Sequence, residues 1–161
     1  MDVLLVILFR WMHIATAAVA IGGAFFMRIL APRALAGIEP ALREEIFLKL
    51  RRGFKMVIHT SILLLIVSGV YNTVGNWKGY NEIPALSQPL WGTHVLLAII
   101  IFSIALYLLA GKQPPKKHAR WMAVNLLLMA LTLAVAASLK YVRDHRDTLA
   151  APAPAASAHL E

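Results

Sequence analysis

The stretch "VLLVILFRWMHIATAAVAIGGAFFMRIL" runs from Val3 to Leu30. Its only strongly polar side chains are Arg10, His13 and Arg28. It exceeds the roughly 20 apolar residues that a helix needs to cross a bilayer. Asp2 is the only charge before Arg10, so "MDVLLVILF" lacks the basic start of a secretory signal and reads as the opening of a membrane helix.

Three further stretches are long enough to span: about Phe54–Val74, Trp91–Ala110 and Trp121–Tyr141. Trp11, Trp77, Trp91 and Trp121 fall at or near the ends of the four stretches, as an aromatic interfacial belt requires. The whole chain agrees with them. It is 60% hydrophobic and 15% charged over 161 residues, with a mean hydropathy of +0.69, too apolar for an ordinary soluble domain. The absence of cysteine excludes disulfides, thiolate metal sites, iron–sulfur clusters and covalently attached haem.

The formal charge is +8. Basic loops of this kind orient a membrane chain, so nucleic acid is not expected as a partner. Eleven of the sixteen Lys and Arg residues lie on one side, from Arg28 through Lys55 and from Lys112 through Arg120. Arg10, Lys78, Lys140, Arg143 and Arg146 lie on the other. The richer side should be cytoplasmic, which puts both termini outside. The expected fold is an all-α transmembrane four-helix bundle with both termini periplasmic, in the bacterial inner membrane. "ALREEIFLKLRR" alternates apolar and charged residues at helical spacing and should form an inner amphipathic extension before the second span. "GNWKGYNEIPALSQPL" carries the Gly, Asn and Pro signals of an outer loop. Residues 1–147 form the transmembrane domain, and the Ala/Pro-rich segment 148–161 is expected to be a disordered tail.

Ionisable groups inside spans are costly and are functional candidates by default. His13, His59 and His94 are those groups, whereas His118 and His145 lie outside the spans and should be solvated. Arg10, His13, Thr16, Ala17, Ala20, Gly23, Ala24 and Met27 share one helix face. Small residues there would let either a neighbouring helix or a flat ligand approach closely. His13 lies two residues inside Trp11, and His94 three inside Trp91. Their depths should therefore agree within a few ångströms. Two facing neutral imidazoles suit haem iron or another transition metal. In this reading Ala17, Ala20 and Ala24 line the macrocycle, and Arg10 pairs with a propionate, a task open also to Lys78 or Lys140.

His59 enters its span from the inner side, roughly 20 Å from His13 by helical rise. It could be a metal ligand for a second cofactor, a quinone- or proton-handling residue, or a buried histidine satisfied by a carbonyl. Ser61, Ser68, Asn72, Asn125 and Thr132 read as polar glue between helices. Met12, Met27, Met56 and Met129 suit Cu(I) as soft ligands but form no tight motif.

"RWMHIATAAVAIGGAFFMRIL" resembles the first helix of the superfamily that joins HemJ-type protoporphyrinogen oxidases with CopD-type copper-resistance membrane proteins. "PLWGTHVLLAIIIF" resembles the start of its third helix. His13, Gly23 and Arg28 stand where that group carries its histidine, glycine and inner arginine. The resemblance implies a four-helix protein binding b-type haem through His13. It also implies a lysine near the start of the third helix in the HemJ-type oxidases, where this chain has His94.

The leading expectation is a membrane b-type cytochrome, with haem between helices 1 and 3 and electron transfer to a quinone or a redox protein. A HemJ-like protoporphyrinogen IX oxidase, which would make the chain a haem-dependent oxidoreductase, is the first alternative. A CopD-like copper-handling transporter is the second, and a structural subunit without cofactor the third. A homo-oligomer is compatible with each.

Overall fold

The computed structural model describes residues 2–110 and 115–150. Helix α1 spans Val3–Phe25, and Asp2 caps it by accepting a 3.0 Å hydrogen bond from the Leu4 N–H. The wider π turn Phe26–Leu30 follows, and then the short α2, Ala31–Ala34. Together they make one apolar run from Val3 to Ala34.

Helix α3 runs unbroken through Pro40–Glu82. Pro40 starts it at the first helical position, where a missing N–H costs nothing. Its 43 residues reach about 65 Å, twice the hydrocarbon thickness. It therefore contains both the amphipathic extension and the second span. Lys49 and Glu45 form an exposed 2.7 Å pair one turn apart on that extension.

The outer connection differs from the expected loop. Helix α3 continues to Glu82, only Ile83 leaves helical geometry, and α4 occupies Pro84–Leu109. Pro84 interrupts the hydrogen-bond ladder and starts the next helix. The Gly and Asn signals were overridden because neighbouring side chains stitch this region together. Asn76 Nδ2 donates to the Asn72 carbonyl at 2.6 Å, Gln88 Nε2 to Asn81 Oδ1 at 3.1 Å, and the Trp77 and Trp91 rings meet edge-on at 5.7 Å. Helix α5 covers Pro115–Asp144, and α6 covers Arg146–Ala150. Residues 148–150 of the expected tail thus belong to a short helix, and 151–161 lie outside the described residues.

Helix α1 packs mainly along α3, and α4 along α5, while α3–α4 and α1–α5 contacts join the two pairs. Ala24, Ile101 and Met129 form the central buried cluster, with Phe54, Phe102 and Leu126 against it. The outside is more apolar than this thin core. Leu4, Leu63 and Leu127 are 74%, 62% and 71% exposed. Surfaces of that kind belong against lipid rather than water. Four helices are long and apolar enough to cross a membrane, with mean hydropathies between 1.8 and 2.3. The chain is a multi-pass helical membrane protein.

Candidate functional site

His13 faces α3. Its Nδ1 lies 2.9 Å from Ser68 Oγ, and a Cβ added at Gly69 would come 3.5 Å from its Cε1. Ser68 is fully buried, and its hydroxyl donates to the Leu64 carbonyl at 2.5 Å. A serine has one hydroxyl proton. With that proton spent on Leu64, the oxygen accepts from His13, so Nδ1 carries the hydrogen. Nε2 then keeps a free lone pair, the form that a metal ligand needs.

His94 occupies α4 across the bundle, near enough for the two imidazoles to interact electrostatically. The depths can be read from the helix ladder. Trp91 Nε1 donates to Thr73 Oγ1 at 3.3 Å, which brings this part of α4 beside α3. Three residues inward along α4 is His94, and four inward along α3 is Gly69, beside which His13 sits. At 1.5 Å per residue the histidines lie within about one helical turn of the same depth. The His94 ring approaches the Thr132 backbone of α5. Its Nδ1 is buried and has no hydrogen-bond partner among the described residues. Buried polar atoms normally have one, so this nitrogen is available for a further bond.

The small-residue face of α1 divides into two zones. Ala17 is half-buried and Ala20 buried beneath His13. Ala24, deeper in the bundle, is covered by Ile101 and Met129, and the Phe54 ring lies on Gly23, where a Cβ would stand 2.4 Å from Cε2. Side chains of neighbouring helices therefore occupy the inner part of the face.

Arg10 is exposed at the outer end, one turn beyond His13. It acts electrostatically on Tyr80, as does Arg143 of α5. Arg143 also donates to Asn76 Oδ1 at 3.4 Å, and Asn72 Nδ2 to the Phe9 carbonyl at 3.4 Å. This polar ladder ties α1, α3 and α5 together above the histidines. Lys140 instead pairs with Asp144, and Lys78 is exposed.

His59 is not brought to this site. It is exposed on α3, ten residues or about 15 Å from Gly69, and its Nδ1 donates to the Lys55 carbonyl at 2.7 Å. Of its expected states, the carbonyl-bonded one matches, but the side chain is exposed rather than buried. His145 is exposed and stacks on Tyr141 with ring centres 4.1 Å apart. His118 departs from the solvated expectation: it is half-buried and faces a cavity at the inner end of the bundle. Asn125 lines the same cavity, and its buried Oδ1 has no hydrogen-bond partner among the described residues. Among the described residues no group of three or more His, Asp or Glu side chains could hold a metal. A metal at the outer site would rest on the two histidines and whatever else the metal carries.

The fold and site thus define a class: a four-span helical membrane protein with two level, inward-facing histidines near one face. The chain matches no protein-family model, no curated protein and no solved structure.

Proposed function

We propose that the protein is a small b-type cytochrome of the bacterial inner membrane, with both termini periplasmic. His13 and His94 would hold one haem. The carrying observation is the 2.9 Å contact of His13 Nδ1 with Ser68 Oγ at a depth close to that of His94, whose buried Nδ1 has no partner among the described residues. Bound haem would supply reversible one-electron chemistry at iron. With both histidines holding the iron, oxygen chemistry there would be disfavoured, which favours electron transfer with a quinone or a redox protein.

The protein's own part is positioning and charge. Ser68 contacts His13, the small side chains of Ala17 and Ala20 follow it on the same face of α1, and Ala24 is covered by Ile101 and Met129. Arg10, with Arg143 near the same tyrosine, supplies positive charge where haem carboxylates would emerge.

Purified protein expressed with haem supply should show a Soret band, with iron and little copper by metal analysis. His13→Ala and His94→Ala should each lose the band, and His59→Ala should keep it. A normal band in both ligand variants sinks this assignment. Copper without iron would replace it with the copper-handling reading. Rescue of a haem-biosynthesis mutant would move it to the porphyrinogen oxidase.

A further inference from the structure

The inner half of α5 carries a stripe of exposed residues: Lys116, Arg120, Ala123, Leu127 and Ala130. They are spaced three or four apart, which places them on one helix face. Ala123, Leu127 and Ala130, with Leu126, form one wall of an open groove of about 430 Å³. Arg28 and Ile29 of the π turn form the other wall. An enclosed cavity of about 150 Å³ is enough for a benzene ring, so this groove has room for a length of hydrocarbon chain. It opens on the apolar outside of the bundle, where Leu127 is 71% exposed.

Arg28 is the one charged residue among those that line the groove. It is half-buried within the apolar run Val3–Ala34. Its guanidinium makes no hydrogen bond or ion pair among the described residues, and of its nitrogens only Nε is sealed from the surface. The Nη groups are left to face the groove. A cation inside a span is costly unless it is paired, and phosphate oxygens are strong partners for guanidinium donors. Arg120 and Lys116 continue the α5 wall toward the inner interface, beside Trp121. The groove therefore has apolar walls and a cationic head. A second copy of the chain does not suit it. A two-fold interface on this face would set Arg28 and Arg120 against like charges.

We propose that this groove binds an anionic glycerophospholipid. Arg28 and Arg120 take its phosphate and ester oxygens, and Lys116 meets the headgroup. One acyl chain follows Ala123, Leu127 and Ala130 over a rise of about 10 Å. Basic pockets between membrane helices hold acidic headgroups by the same chemistry. Bound there, the lipid bridges the π turn after α1 to α5. The site goes beyond the electron-transfer reading and needs no haem.

The test titrates the full-length protein in detergent with phosphatidylglycerol and, separately, with phosphatidylcholine of the same acyl chains, and counts bound lipid by native mass spectrometry. One phosphatidylglycerol should bind about tenfold tighter than phosphatidylcholine, since each Lys or Arg near a headgroup contributes roughly fivefold. Arg28→Gln should cut that preference about fivefold, and so should Arg120→Gln, which alters an exposed residue and spares the packing. Arg28→Lys should keep most of it. Ala130→Trp, which fills the groove without changing its charge, should weaken both lipids. Equal binding of the two lipids by the unaltered protein overturns the proposal, as does a preference that survives both glutamine variants. Displacement of the lipid by inorganic phosphate would reduce the groove to a plain anion site and overturn it too. A lipid-free dimer that Ala130→Trp breaks would give the groove to a second copy instead. Haem-free protein should show the same lipid preference, so loss of the haem reading would leave this site standing.

Discussion

At the residue scale, Ser68 decides more than either histidine alone. Its single proton is committed to the Leu64 carbonyl, so its oxygen selects the Nδ1–H form of His13. Removing such an orienting partner typically costs 10–100-fold in metal affinity. Ser68→Ala should therefore raise the haem dissociation constant by about that factor, measured as Soret amplitude during titration of the haem-free protein. An unchanged constant would mean that the serine merely packs the helix. The two histidines were legible in the sequence because each lies a countable distance from an interfacial tryptophan. Ser68 was visible only as one of several small polar residues in the second span. Its role depends on α1 lying along α3 in one register, which no local pattern encodes. The surroundings of Arg143, Asn125 and His118 were not legible for the same reason, and Tyr80 was not singled out, as their neighbours come from other helices. The seven-residue spacing of His118, Asn125 and Thr132 was the available hint, since it places them close to one helix face.

At the element scale, α1 contains two adjacent glycines in different surroundings. A Cβ at Gly22 would meet nothing within 4 Å, whereas one at Gly23 would collide with the Phe54 ring. Phe54 packs against the central cluster, so its ring must shift to admit the added methyl. Gly22→Ala should stabilise the helix by about 0.5–1 kcal/mol through lost chain entropy. Gly23→Ala should cost about 1–3 kcal/mol by overpacking. Thermal melts of the two variants in one detergent should move in opposite directions, and equal shifts would contradict the packing of Phe54 on α1. Four spans and the inner amphipathic helix were readable because apolar length and helical periodicity are local properties. The outer connection was misread because Gly75, Asn76 and Gly79 carry weak loop signals that tertiary contacts around Trp77 and Trp91 override. The π turn at Phe26–Leu30 had no sequence signature either; it appears where the α1 run passes into the short helix begun by Ala31 and Pro32.

At the scale of the whole molecule, the two ends of the bundle differ in charge and in the sites they hold. The level histidines lie toward the end that carries Arg10 and Arg143, and the cavity lies toward the end that carries Arg51 and His118. If the basic end is cytoplasmic, as the distribution of Lys and Arg favours, the histidine pair lies toward the opposite side of the membrane. That makes orientation a functional quantity. The chain has no cysteine of its own, so single cysteines report position without background. His145→Cys, on an exposed outer-end residue, should react with a membrane-impermeant maleimide in intact cells. Lys117→Cys, exposed at the inner end, should react only after permeabilisation. The opposite pattern would invert the bundle. It would place the histidine pair toward the cytoplasm and the His118-lined cavity toward the periplasm.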